Sequence, residues 1–208
     1  MLDEFASFGI EVNFDCTPLR ETVIFDPTGA AHTHRSSRPL YYLVRRGPGA
    51  GTLDSGLRTQ AARAGVTIRF HEASRHLPDG GIVAAGPHSG DAIAVGYVFN
   101  TGMPDGAYGA VADLLAPKGY AYVLVHGGRG TVASTIFEDF HNEKGYLANT
   151  VEFFQQKVGL TMRNASPFGH ERLHVHSRHE IERMLSGDCR RRDHAGELLS
   201  GAPRGVQS

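Results

Sequence analysis

The sequence predicts an α/β protein of the α+β type, and three stretches carry that prediction. Residues 40–70 have the pattern of a strand, a glycine-rich connection, a helix and a further strand. Residues 120–137 contain two β-type runs separated by glycines, as in an antiparallel hairpin. Residues 146–158 repeat apolar side chains at helical spacing. A mixed or antiparallel sheet covered by a helix buries the apolar side chains of these stretches.

The composition limits the classes of function. The chain has 208 residues, 40% hydrophobic and 21% charged, which suffices for one core or for a domain and part of another. Its formal net charge of −1 gives no general attraction to nucleic acid or to an anionic membrane. No apolar run approaches the roughly 20 residues of a membrane span, and no signal peptide opens the chain. A reduced, cytoplasmic setting is expected for Cys16 and Cys189, with one disulfide as the alternative.

Residues 1–39 are predicted to contain a short helix and a β-hairpin. Leu2, Phe5 and Ala6 have helical spacing, and Gly9 follows them. Two β-type runs flank a tetrad of residues that favour tight turns, Asp26-Pro27-Thr28-Gly29.

Residues 40–91 are predicted to contain one strand–helix–strand unit of an α/β sheet. Residues 40–44 are apolar and favour a strand, Thr52 is a suitable N-cap, and Gly65 suits the left-handed position after a helix. Residues 66–70 then begin a new strand. The apolar side chains of the helix are Leu53, Leu57 and Ala61.

No GxGxxG fingerprint of a dinucleotide-binding turn follows a strand in this sequence. Gly47, Gly49 and Gly51 are spaced differently, and Pro48 interrupts them, so a flexible connection is expected there. Residues 82–87 form an apolar run that ends at Gly86 and Pro87 and favours a buried strand.

Residues 92–170 are predicted to form the mixed sheet and its helix. Residues 92–101 begin the sheet, and residues 120–126 and 131–137 form an antiparallel hairpin. The helix that ends at Gly159 lies across the sheet, and its apolar face consists of Tyr146, Leu147, Thr150, Val151, Phe154 and Val158. Residues 171–208 have no aromatic residue and few large aliphatic ones, so a partly disordered tail with one short helix near residues 180–185 is expected.

The central stretch resembles FAD-dependent oxidoreductases of the geranylgeranyl-reductase type, which belong to the flavoprotein superfamily of p-hydroxybenzoate hydroxylase. The resemblance covers residues 5–170 and lies in an arginine before a glycine-rich turn, followed by the pattern LDxxLxxxAxxAGVxI. It rests on Arg45 or Arg46, Leu53, Asp54, Leu57, Ala61, Ala62, Gly65, Val66 and Ile68.

The resemblance implies a division of the chain and a cofactor. Residues 1–39 and 92–170 correspond to the substrate domain, residues 40–91 to part of the FAD domain, and residues 171–208 to a tail. The family's GxGxxG turn and its closing glycine–acidic motif are not present, so the chain corresponds to the middle of a longer flavoprotein. Weak or absent FAD binding is therefore expected for this chain alone.

The resemblance also implies site residues. Arg45 or Arg46 would contact the FAD pyrophosphate, with an ion pair to a neighbouring acid as the alternative. Gly86 and Pro87 would approach the flavin. Tyr120 and Tyr122 share one strand face and would line a pocket for an apolar small molecule, with ordinary sheet packing as the alternative.

The reaction implied by the resemblance is hydride transfer through FAD, with reduced nicotinamide or another donor reducing the flavin. No catalytic acid or base is singled out by the sequence, and a non-catalytic ligand-binding or interaction module is the second hypothesis. A third is a zinc-dependent hydrolase, because residues 170–174 spell HExxH. On a helix, His170 and His174 would ligate zinc and Glu171 would activate water, but Pro167, Gly169 and the polar flanks disfavour such a helix. We therefore predict no zinc site.

Overall fold

The structure, a computed structural model, describes residues 2–72, 81–82 and 91–173. The described part is a mixed α/β protein, which confirms the predicted fold class. Its elements in chain order are α1 (Leu2–Ser7), β1 (Cys16–Leu19), β2 (Glu21–Phe25), β3 (Ala31–Arg35), β4 (Tyr41–Val44), α2 (Leu53–Arg63), β5 (Ala92–Asn100), β6 (Gly106–Ala110), β7 (Tyr120–His126), β8 (Arg129–Ile136), α3 (Glu143–Val158) and β9 (Arg163–Leu173).

Seven strands form one mixed sheet in the order β3-β2-β6-β7-β8-β5-β9. Strands β2 and β6 pair in parallel, and the other neighbours in this sheet pair antiparallel. The remaining strands, β1 and β4, form a separate antiparallel ribbon. The sequence patterns did not predict β1, β6 or β9.

Helix α3 packs on one face of the seven-stranded sheet, as predicted. Phe154 and Thr150 are fully buried on the helix, and they face a core that includes Val123 and Val132 of the sheet. Ser134 of β8 and Thr150 share a buried hydrogen bond of 2.9 Å, so this interface also has a polar link. Gly159 ends the helix in the left-handed conformation, with φ of 67°.

The predicted hairpin of residues 120–137 is confirmed as β7 and β8. Its turn is shorter than expected, because strand pairing continues to His126 and Arg129 and leaves two residues between them. These are Gly127 and Gly128, with φ of 57° and 75°, a backbone region that glycine adopts without steric cost.

The predicted N-terminal hairpin is also present, as β2 and β3. The carboxylate of Asp26 accepts hydrogen bonds from the backbone N–H groups of Thr28 and Ala30 at 2.8 and 3.1 Å, and from the Thr28 hydroxyl at 2.6 Å. These bonds and that of His32 hold the pKa of Asp26 well below its ordinary value.

The predicted strand–helix–strand unit is confirmed only in part. Helix α2 begins after its N-cap Thr52, and Gly65 follows it with φ of 82°. Strand β4, however, pairs with β1 rather than with the large sheet. The strand expected at residues 66–70 is wrong, because that stretch pairs with no strand in the described part, and Val66, Ile68 and Phe70 are exposed.

Strand β9 corrects the expected start of the C-terminal tail. It continues to Leu173, past the expected start of the tail at residue 171, and pairs with β5 through that residue. Residues 170–173 are thus extended, whereas a zinc-binding HExxH needs a helix that brings both histidines onto one face. His174 and the expected helix near residues 180–185 lie outside the described residues.

Within the described residues, no helix has the length and apolarity that crossing a membrane requires.

Candidate functional site

The candidate site lies on the sheet face opposite α3, which we call the outer face. Side chains alternate between the two faces of a strand, and directly paired residues share a face. Because Val123 and Val132 pack toward α3, their sequence neighbours Leu124 and Thr131 lie on the outer face, where Val98 of β5 joins them. The β1–β4 ribbon and the connection into α2 supply the opposite wall of a first cavity on this face, and Tyr41 of β4 lines a second.

The first cavity, which we call the arginine cavity, has a volume of about 410 Å³. One wall comes from the ends of β1 and β4 and the connection into α2, and the other from the outer face. Its charged and titratable lining residues are Asp15, Arg45, Arg46, His126 and Arg129, and its apolar lining residues are Leu43, Val44, Val98 and Leu124.

The two predicted arginines lie together in this cavity, and each carries an ion pair. Arg45 Nη1 lies 3.1 Å from Asp15 Oδ2. Arg46 binds Asp54 through two contacts, Nε to Oδ2 and Nη2 to Oδ1, both 2.9 Å. The hydrogen bond from Arg46, supported by one from the backbone N–H of Gly47 at 2.7 Å, lowers the pKa of Asp54 to about 2.

The N-cap residue Thr52 and the first residue of α2 also hold the glycine-rich connection between β4 and α2. Thr52 is buried, and its hydroxyl lies 2.5 and 2.8 Å from the carbonyl oxygens of Gly47 and Gly49. The backbone N–H of Leu53 donates to the carbonyl of Arg45 at 2.8 Å. The connection therefore has a defined path that presents Arg45 and Arg46 at the cavity.

A hydrogen-bonded chain of Asp105, His126 and Thr17 joins the two walls of the cavity. His126 Nδ1 lies 2.8 Å from Asp105 Oδ2, and His126 Nε2 lies 3.0 Å from Thr17 Oγ1. A carboxylate only accepts hydrogen bonds, so Nδ1 carries the proton that is shared with Asp105. In the neutral imidazole, Nε2 then accepts from the Thr17 hydroxyl.

Arg129 lies beside His126 on the outer face, because the two residues pair across the β7–β8 turn. Its side chain lines the arginine cavity and forms no hydrogen bond or ion pair with the described part of the chain. Arg129 is thus a cation in the cavity wall that no carboxylate of the described residues matches.

The second cavity, the tyrosine groove, has a volume of about 670 Å³ and includes both predicted tyrosines. The rings of Tyr120 and Tyr122 lie with centroids 6.1 Å apart at an interplanar angle of 32°. Ile24 of β2, Tyr41 of β4 and Leu124 of β7 also line the groove. Leu124 lines the arginine cavity as well, so the two cavities are neighbours.

Gly86 and Pro87, the residues expected near a flavin, lie outside the described residues. Among the described residues, no group of three or more histidine, cysteine, aspartate or glutamate side chains is arranged to hold a metal ion.

Thr17, Asp105, His126 and Arg129 were missed by sequence reasoning. The Gly127-Gly128 pair was a usable signal for two of them, because a two-residue turn sets His126 and Arg129 directly opposite each other. Nothing in the sequence pattern indicated that β1 would bring Thr17 to the same place.

Comparisons with protein-family models and with curated proteins find no match. Among solved structures, the chain is similar to a geranylgeranyl bacteriochlorophyll reductase-like protein from Thermoplasma acidophilum, with a TM-score of 0.44 and 16% identity. The similarity covers 74% of this chain and 50% of that protein, so the chain spans half the neighbour's length. Similarity at this level assigns no residue and no activity.

Proposed function

We propose that this chain provides cofactor-phosphate contacts and a substrate groove of an FAD-dependent oxidoreductase of the geranylgeranyl-reductase type. The sequence pattern from Arg45 to Ile68 supports the family. One structural observation supports the two binding roles. The arginine cavity and the tyrosine groove lie side by side, and Leu124 lines both. A flavin enzyme with an apolar substrate needs such a pair of neighbouring sites, one for an anionic cofactor and one for a hydrocarbon.

The arginine cavity fits a pyrophosphate through the chemistry of its donors. A guanidinium pairs with phosphate oxygens through two parallel N–H bonds. Arg45 contacts Asp15 through one Nη atom, and its side chain is 49% exposed. Exposed ion pairs of this kind contribute only about 0–1 kcal/mol, so a phosphate group can replace Asp15 as the partner.

Arg45 is a better candidate for this contact than Arg46. Asp54 already occupies the Nε and Nη2 atoms of Arg46 with the two-bond geometry that a phosphate would use. We therefore assign Arg46 to holding the connection before α2, and Arg45 to the pyrophosphate.

The tyrosine groove fits an elongated apolar substrate. Its walls combine the rings of Tyr120, Tyr122 and Tyr41 with the aliphatic side chains of Ile24 and Leu124. Sites for small molecules are mostly apolar, with a few polar groups that set orientation. The tyrosine hydroxyls would provide such polar groups in this groove.

Bound FAD would supply the hydride, after reduction by a nicotinamide or another donor. The residues of this chain would bind the phosphate, align the hydrocarbon and exclude water from it. No residue is assigned as catalytic.

The test is anaerobic reduction of an isoprenoid by the purified chain with excess dithionite-reduced FAD. Geranylgeraniol should gain two hydrogens for each reduced double bond, as measured by mass spectrometry, and the chain without FAD is the control. FAD is kept in excess, because weak or absent FAD binding is expected for this chain alone. Saturable isoprenoid binding without any reduction would support the ligand-binding module instead, and no binding of either compound would refute the proposal.

A further inference from the structure

We propose that Arg129 is a second-wall phosphate contact, so that Arg45 and Arg129 hold one diphosphate group from opposite sides of the arginine cavity. The inference deepens the proposed function and rests on it only for the choice of FAD as the natural ligand. It assigns a role to a residue in the β7–β8 hairpin, far in sequence from the glycine-rich connection.

The position of Arg129 follows from the hairpin. Arg129 is the first residue after the two-residue turn Gly127-Gly128. It pairs with His126 of β7 on one side and with Asn100 of β5 on the other. Paired residues share a face, and Leu124 and Thr131 establish that this is the outer face. The base of the Arg129 side chain is therefore held by two neighbouring strands.

The charges of the cavity favour an anion. Its lining contains three arginines and one aspartate, and Asp54, outside the lining, pairs with Arg46, so these five groups together leave one positive charge. Asp15 pairs with Arg45 and Asp54 with Arg46, whereas Arg129 pairs with no described residue. The charge of Arg129, which these two described carboxylates leave unpaired, therefore attracts an anion into the cavity.

His126 serves in this arrangement as a positioning residue. Its Nδ1 proton is shared with Asp105 and its Nε2 accepts from Thr17, so the neutral ring has no N–H left for an anion. The chain of hydrogen bonds instead holds β1 against the hairpin and so sets the width of the cavity between Arg45 and Arg129.

The shape of the cavity narrows the class of ligand. Four apolar side chains, Leu43, Val44, Val98 and Leu124, line the same space of about 410 Å³. This volume exceeds what a free phosphate needs, and the apolar wall favours a ligand in which the phosphate is attached to an organic group. A diphosphate ester fits both features, and it occurs in dinucleotides and in diphosphates of other alcohols.

The test compares three probes by isothermal titration calorimetry: inorganic pyrophosphate, ADP and FAD. Arg129→Gln should weaken each of the three about tenfold to a hundredfold, which is typical of losing one hydrogen bond to a charged group. Arg35→Gln is the matched control, because Arg35 is an exposed arginine of β3, paired with Glu21 and absent from the cavity lining. Circular dichroism of both variants checks the fold.

The outcomes separate this inference from the proposed function. If pyrophosphate and ADP bind in a way that depends on Arg129 but FAD does not bind, the inference is supported and FAD is refuted as the ligand. FAD binding that is equal in the native chain and Arg129→Gln would keep the flavin and overturn the inference. Binding of none of the three probes would overturn the inference too.

Discussion

Thr17 and His126 connect the β1–β4 ribbon to the seven-stranded sheet through a hydrogen bond of 3.0 Å between Oγ1 and Nε2. These residues are 109 positions apart in the chain, and they meet at the edge of the arginine cavity. Asp105 fixes the ring of His126 from the other side at 2.8 Å. The contact therefore holds together the two walls on which both proposed binding roles depend.

Thr17→Val tests this contact, because it removes the hydroxyl and nearly preserves the shape of the side chain. The free energy of unfolding should fall by about 0.5–1.5 kcal/mol, the usual contribution of one hydrogen bond. Urea denaturation measures this change. Thr33→Val is the control, since Thr33 is exposed on β3 and bonds to no described side chain. Equal effects in the two variants would show that the Thr17–His126 bond contributes nothing.

Asp54 should make the stability of the chain depend on pH in the acid range. Its pKa falls from an ordinary 3.8 to about 2 through Arg46 and the Gly47 N–H. A carboxyl whose pKa is lower in the folded state stabilises the fold above its unfolded pKa and loses that effect as pH falls through the folded pKa. The loss should therefore occur between about pH 4 and pH 2.

Asp54→Asn removes this titration. The variant should be less stable than the native chain at neutral pH, and the difference should shrink as the pH approaches 2. Urea denaturation at several pH values follows the change. Glu152→Gln makes the same carboxyl-to-amide change on an exposed part of α3 and should leave the acid profile unchanged. An unchanged profile in Asp54→Asn would show that the Arg46 pair does not contribute.

Phe154→Ala should be the most destabilising of these substitutions. Phe154 is fully buried between α3 and the sheet, and its ring packs edge-on against Phe25 and Phe153. Removing a buried phenylalanine ring typically costs about 3–5 kcal/mol. Phe153→Ala deletes the same atoms from a half-buried position and should cost clearly less in guanidinium denaturation. If Phe153→Ala costs as much, α3 does not present the face described above.

The sequence predicted the elements whose signals are local. The apolar face from Tyr146 to Val158 predicted α3. The turn residues after Phe25 and after His126 predicted the two hairpins. Strand β6 was missed because two of its five residues are glycines, and β9 because Pro167 and Gly169 interrupt its pattern. The strand predicted at residues 66–70 was wrong although the local pattern favours a strand, because these residues have no partner strand in the described part.

The sequence predicted only some of the residues of the site. Arg45, Tyr120 and Tyr122 stood out because each follows a local pattern or a family resemblance. Their association with Arg129 and His126 depends on β1 and β4 lying opposite the outer face, and that long-range packing leaves no periodic signal in the sequence. The sequence also predicted, as an alternative, that the arginine pairs with a neighbouring acid. It did not identify Asp15 and Asp54 as these partners.

The tyrosine groove gives the last prediction, that Tyr122→Ala weakens binding of an apolar ligand. Burying one large apolar side chain contributes about 1.5–3 kcal/mol, which corresponds to roughly tenfold to a hundredfold in affinity. Geranylgeraniol binding can be followed by displacement of a fluorescent apolar dye. Tyr122→Phe keeps the ring and should retain most of the affinity. Phe8→Ala, which removes an aromatic ring that is 79% exposed and absent from the groove lining, should have no effect.

Because the ring of Tyr120 lies against that of Tyr122, the double variant with alanine at both positions should lose less affinity than the sum of the losses in the two single variants. Retained binding in Tyr122→Ala would place the apolar ligand elsewhere and leave the two tyrosines as ordinary sheet packing.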